Sequence, residues 1–288
     1  MVPADLFDHR PHQLRMALRP LRPAEWLIVD DDYEEQLALK QRLLTHRADR
    51  CFVSIDEGGP ADAELLAEVA GFLDRTQPGR RPAVVAGIHP TDAAGRLVQE
   101  DLCLHTVVSG RLVLSAASVC FPSRWDVRSK LGQPVVGIHS PVPGYAQTLG
   151  DPVDAFMARL TVGRPRVRLN WSLPSDPALH QPADPTPQAT LRAMGPEQIA
   201  DQMWLRAERQ TFRRLPRSGG VVFGIRTFVW PLRALAGDPV STARMAATIR
   251  SMSPTLARYK GLTGVRRALL GWLDGVAAGS AAPTIRAP

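Results

Sequence analysis

The chain has 288 residues, of which 44% are hydrophobic and 22% charged, a balance that allows a full globular core to be buried. Its net charge of +7 raises nucleic acid as a partner, but the excess Arg is scattered, no helix-turn-helix or zinc-finger spacing accompanies it, and only three Tyr are present for base stacking. The apolar runs are far too short to span a bilayer, and the charged, Pro-broken N-terminus lacks the apolar core of a secretory signal, so a cytoplasmic protein without membrane association is expected.

In chain order, residues 23–46 end in an amphipathic helix carrying Leu37, Leu39, Leu43 and Leu44. Residues 60–76 form a cleaner one, with Leu65, Leu66, Val69, Phe72 and Leu73 on one face. A Pro/Gly-rich connection fills 77–93. The pattern then turns to strands: the apolar run 100–108, the turn signal Ser109-Gly110 and the run 111–121 predict a hairpin. A short helix is predicted at 150–160, with Asp151 as cap and Pro152 near its start. Strand character returns at 166–173, a Pro-rich polar loop occupies 174–200, and 202–215 is ambiguous between helix and strand. Residues 219–232 are a convincing strand, 240–277 are helical, and the last ten residues read as a frayed tail. The three cysteines, Cys51, Cys103 and Cys120, form no CxxC pair, and buried inert thiols are expected.

Two strands, a helical middle and three further strands make an α+β fold, an antiparallel sheet with helices on one face. The same order is that of a PAS domain. In sequence, "WLIVDDDY", "VQEDLCL", "CFPSRWDVRSKLGQPVVGIHSPVPGY", "RLNWSL" and "RAERQTFRRLPRSGGVVFGIRTFVWPL" occur in succession, from about residue 15 to about residue 260. Together these motifs resemble the haem-dependent oxidative N-demethylase family, in particular its α-subunit-like haem proteins. The resemblance implies a haem-binding PAS-like antiparallel sheet with helical N- and C-terminal additions. The expected parts are a helical extension over 1–95, a haem-binding core over 96–235, and a helical region and tail over 236–288, integrated as one domain. It also implies a b-type haem and an O2-dependent oxidation of a small amine. Electrons would come from an external NADPH-dependent flavin/iron–sulfur reductase, because the chain carries no GxGxxG after a strand and no CxxC for a cluster. A redox partner protein and a homodimer are the macromolecular partners in view.

A b-type haem needs an axial ligand, an apolar slot and partners for two propionates. Of the seven His, His9, His12 and His46 lie in charged surroundings, His89 in a connection and His180 in the polar loop. His139 sits in "KLGQPVVGIHSPVPGY", whose three Pro and three Gly give it a stiff backbone and an apolar neighbourhood. On the residues alone it is either a ligand or a histidine that structures the loop; with the resemblance it becomes the expected iron ligand. His105, Cys103 and Cys120 are the competing ligands. The helix at 150–160 has no His, unlike the helix that carries the ligand in oxygen-sensing PAS kinases. Propionate partners are sought among Arg124, Arg168, Arg206, Arg209, Arg226 and Lys130. Arg226, the lone charge in "VVFGIRTFVW", is expected to contact haem-bound oxygen, and Glu208, beside Arg206, to receive an ammonium group. Asn170 and Trp171 are expected to line the pocket. Outward-facing charges on the sheet would serve none of these roles. A haem-based gas or redox sensor without turnover is the alternative function.

Overall fold

The computed structural model describes residues 6–7, 13–56, 58–183 and 194–279. His9, His12 and the terminal tail lie outside them. Seven strands form one antiparallel sheet: β1 (Arg19–Pro20), β2 (Phe52–Ser54), β3 (Asp101–Val108), β4 (Arg111–Ser118), β5 (Arg166–Ser172), β6 (Trp204–Arg214) and β7 (Val221–Pro231). Their spatial order is β1-β5-β6-β7-β3-β4-β2. The hairpin between β3 and β4 turns through Ser109 and Gly110, both at positive φ (50° and 78°). That geometry matches the right-handed twist of the flanking strands. The ambiguous segment 202–215 is β6, paired along its full length with β7. Its alternation of apolar and charged residues is real, but both faces are covered, so it never shows the one-sided polarity of an exposed strand.

The helices are α1 (Tyr33–His46), α2 (Ala48–Cys51), α3 (Pro60–Thr76), α4 (Pro90–Gly95), α5 (Val135–Ile138), α6 (Asp151–Arg159), α7 (Pro196–Gln202), α8 (Pro239–Ser251), α9 (Pro254–Tyr259) and α10 (Arg266–Ala277). A π-helical turn over Ala146–Gly150 runs straight into α6, so Asp151 is the first residue of that helix and not its cap. The expected apolar stripe of α1 is only half-buried. Its buried stripe is Tyr33, Gln36, Lys40 and Leu44. It docks by polar contacts, with Tyr33 Oη donating to Leu97 O at 2.7 Å and Lys40 Nζ to Val98 O at 2.9 Å. The chain before residue 96 holds α1–α4 and also contributes the two edge strands β1 and β2.

Strand alternation divides the sheet into two chemistries. One face carries Leu102, Leu104, Val222, Leu205 and Ala207 and is covered by helices. The part nearest β3 packs on Trp26, Leu65, Val69 and Phe72, and the part nearest β5 on Ile249, Leu269 and Trp272. The other face carries Cys103 and His105 on β3, Arg168 and Asn170 on β5, Glu208, Gln210 and Phe212 on β6, and Phe223 and Ile225 on β7. Above it lie α5, the π-helical turn and α6, whose Tyr145, Leu149, Val153 and Met157 pack as a separate cluster. Among the described residues no helix is long and apolar enough to cross a membrane.

Candidate active site

Between that second face and its cover lies a cavity of about 960 Å³, at the upper end of the range of roughly 300–1,000 Å³ usual for small-molecule and cofactor sites. Its floor is the sheet face just described. Its walls come from Leu14, Met16 and Leu18 before β1, from 123–157, and from the end of α9 and the turn that follows it, residues 258–265. Most of the wall is apolar. Polar side chains form a large minority of it, and those with chemistry to offer centre on two sets.

His139 belongs to the first set. It caps the one-turn helix α5, and its Nδ1 lies 2.9 Å from Val135 O. A carbonyl can only accept, so Nδ1 carries the proton and Nε2 carries the lone pair. The ring stacks on Tyr145, with centroids 4.4 Å apart and planes at 7°. Burial holds the imidazole below its ordinary pKa and therefore neutral at pH 7. Lys130 lines the same wall and donates to Ile138 O at 2.9 Å, which ties it to the His139 loop. His105 faces this region from the sheet; burial pushes its pKa down to about 4, and its Nδ1 has no hydrogen-bond partner.

Glu208 centres the second set. It is 9% exposed. Gln210 Nε2 donates to its Oε2 at 2.8 Å and Asn170 Nδ2 to the same oxygen at 3.2 Å. Lys260 Nζ donates to Trp171 O at 2.9 Å, and burial pushes its pKa down to about 8, partly offset by the Glu208 charge. Arg168, between the two sets, is held below its ordinary pKa by burial, and its Nε is buried without a hydrogen-bond partner. Among the described residues neither Lys260 nor Arg168 forms an ion pair with Glu208 within 4.0 Å.

The structure brings together His139, Lys130, Asn170 and Glu208 of the expected site residues, and also Arg124 and Arg168. It separates the others. Arg226 pairs across the sheet with Arg209, so alternation sends both to the helix-covered face. There Arg226 is fully buried, with Nη2 donating to Asp30 Oδ2 and Nη1 to Thr227 O, each at 2.6 Å, and Nη1 also to Gln36 Oε1 at 2.9 Å. A lone Arg in an apolar strand is accounted for by these partners and not by a contact with bound oxygen. Arg209 donates to Trp26 O at 3.2 Å and to Glu25 O. Arg206 shares the face of Glu208 but lies beyond the cavity, where it clamps two loops by donating to Phe121 O at 2.6 Å, Leu179 O at 3.1 Å and Ala178 O at 3.2 Å. Trp171 points to the opposite face, edge-on to Phe7 at 5.5 Å. Cys120 is buried against Cys51, away from the cavity; Cys103 lines it, but burial pushes its thiol pKa up, away from thiolate. His89 caps α4 by accepting from Thr91 N, and His180 donates to Cys120 O at 2.7 Å.

The family model for haem-dependent oxidative N-demethylase, alpha subunit-like proteins matches residues 74–270. The chain belongs to this family. The match runs from the end of α3 into the first turn of α10, and so includes the sheet face that floors the cavity, the His139 loop and the Lys260 turn. The family's name carries haem dependence and oxidative N-demethylation, and its alpha-subunit designation carries a partner subunit.

Sequence reading missed Tyr145 and Gln210, and it missed a run of three site residues, Arg258, Tyr259 and Lys260. They precede Gly261, at φ 71°, where the chain leaves α9. The Gly marks the helix end, but nothing local says that the turn reaches back over the sheet.

Proposed function

We propose that the cavity binds one b-type haem with His139 as axial ligand, and that the protein uses it, with O2, to oxidise a small amine by N-demethylation. The single observation that carries this reading is the pairing, in one cavity, of a neutral imidazole whose Nε2 is directed by a fixed Nδ1–H bond with a buried Arg168 nitrogen that lacks a partner. Hydrogen bonding of the second imidazole nitrogen to a carbonyl is the usual way a metal-binding histidine is oriented. An unpartnered buried guanidinium nitrogen is costly unless an anion completes it. The residues present therefore fit the group. Arg168, Arg124 and Lys130 would hold the propionates, and the apolar wall of Leu149, Val153 and Met157 would enclose the macrocycle. The fold supports the same reading, since the core strands lie in the order β4-β3-β7-β6-β5 with the helical segment between β4 and β5, as expected for a PAS-like sheet.

When bound, the haem supplies an iron centre for O2 activation. The chain's residues do the rest. Asn170 and Gln210 fix the Glu208 carboxylate by bonding to Oε2, so that a cationic amine is drawn to Oε1. His105 lies on the same floor as a neutral imidazole able to accept or donate a proton. The sheet thus forms the reacting side through Glu208 and His105, and Arg226 stabilises the fold from behind. Electrons come from a separate reductase, consistent with the family's subunit designation. A gas sensor needs no buried carboxylate in its ligand cavity, which favours turnover over sensing. The test is hemin titration followed by O2-dependent formaldehyde release from secondary amines. One hemin per chain and turnover lost in Glu208→Gln are expected; a folded protein that stays colourless overturns the haem reading, and a haem protein that alters only its O2 affinity is a sensor.

A further inference from the structure

The cavity holds more cationic groups than a haem's two propionates require. Lys130 lies in the His139 wall, Arg168 on β5, Arg124 beside Gln181 and Arg258 at the end of α9, and Lys260 enters from the turn after α9, where it feels the charges of both Glu208 and Arg168. Lys260 spends one N–H on Trp171 O and its ammonium lies 4.9 Å from the Trp171 ring centroid, but among the described residues it has no anionic partner within 4.0 Å. Glu208 spends Oε2 on two amide donors, and Oε1 forms no hydrogen bond among the described residues. The two charges influence one another, yet no ion pair within 4.0 Å joins them. Each is removed from most of its water, and although Arg168 and Arg206 also act on Glu208 from a distance, an opposite charge in direct contact would offset the remaining cost. A carboxylate and an ammonium that share a cavity without touching leave a gap with one positive-seeking and one negative-seeking end.

From this we infer that the substrate is an N-alkylated amino acid, bound as a zwitterion with its ammonium on Glu208 Oε1 and its carboxylate on Lys260 Nζ. The inference deepens the proposed function by naming the substrate class of the same site. Discrimination comes from both ends. A simple amine satisfies Glu208 but leaves Lys260 with only Trp171 as a partner and no counter-charge in contact. A simple acid does the reverse and sets its charge against Glu208. A charge-assisted hydrogen bond to Lys260 should favour the amino acid over its decarboxylated amine by about 10- to 100-fold.

The test is calorimetric and does not need turnover. Purified protein, before and after hemin addition, is titrated with sarcosine and dimethylamine, and with N-methylphenylalanine and N-methylphenethylamine, so that each pair differs by one carboxylate. At least one amino acid should bind about tenfold or more tightly than its amine, and Lys260→Met should abolish that preference while leaving amine affinity within about twofold. Equal or weaker binding of both amino acids, or no binding of either to folded protein, overturns the inference. So does a Lys260→Met variant that loses hemin affinity and keeps the preference, because Lys260 would then be a propionate anchor. A carboxylate preference in protein that takes up no hemin would sink the haem reading and leave this one standing. Hemin uptake without the preference does the opposite.

Discussion

Replacing Arg226 by Met separates a structural from a catalytic role for that residue. Arg226 is fully buried, and its guanidinium holds Asp30, Gln36 and the Thr227 carbonyl. It is also the main positive charge that offsets the burial of Glu100, whose pKa is raised by desolvation. Methionine keeps the aliphatic volume but removes the cation from Asp30 Oδ2 and the donor from Thr227 O, while Gln99 still donates to Gln36 Oε1 and Asp30 Oδ1. Breaking a buried pair costs about 3–5 kcal/mol. Asp30 is 30% exposed and recovers some water, which places the loss near the lower end, about 3 kcal/mol. At about 2–4 °C per kcal/mol for chains of somewhat smaller size, Tm should fall by about 6–12 °C. The assay is thermal unfolding beside hemin titration on the same preparation. The folded variant should take up hemin with an unchanged Soret position, because Arg226 lies on the helix-covered face. An unchanged Tm with altered haem or oxygen spectra would refute the assignment and return Arg226 to the site.

Further expectations follow from the same geometry. Arg206→Met should lower Tm, since it removes the donor from the buried Phe121 carbonyl, at about 1–3 kcal/mol when unsatisfied, and frees the half-buried Leu179 carbonyl, and it should leave the Soret position alone; unchanged stability contradicts the clamp. Arg168→Met should weaken hemin affinity by about tenfold or more, read by competition with apomyoglobin, and an unaltered affinity removes it from the propionate set. Glu208→Gln should keep the haem spectrum and lower turnover by about 10² or more, the scale of losing one preorganised charge; full activity places Glu208 outside the reaction. His105, with its pKa lowered from 6.5 to about 4, favours the neutral state in the fold, so below pH 6.5 the unfolded chain binds the extra proton first. Stability of the hemin-free protein should therefore be lost as pH falls from 6.5 toward 4, by roughly 3 kcal/mol from this group. Urea unfolding of His105→Leu should show a shallower decline over that window, and identical slopes would refute it.

The elements with strong local signals are legible in the sequence. The hairpin β3–β4 is marked by Ser109-Gly110, α3 by its apolar stripe, and His139 by the Pro and Gly around it. What is not legible depends on which face a residue occupies in a sheet covered on both sides. Arg206, Arg209 and Arg226 look alike in the sequence, as charges in a strand, and only the register of β6 against β7 sends one to a loop clamp and two to the helical side. Glu208 reached the cavity by the same register. Lys260 was out of reach because its partners, Trp171 and the Glu208 charge, lie far along the chain. The edge strands β1 and β2 have two and three residues, too few for any periodicity to register.

The central claim is that His139 is the residue through which this cavity holds its haem. The direct measurement is the absorption and electron paramagnetic resonance spectrum of hemin-loaded wild-type protein and of His139→Gly, with and without imidazole. The account predicts an imidazole-ligated haem in the wild type, loss of that signature in His139→Gly while the Tm of the hemin-free protein stays within a few degrees, and its return when imidazole is added. A His139→Gly protein that keeps the wild-type spectrum without imidazole would contradict it, and His105 would then be the residue on the iron.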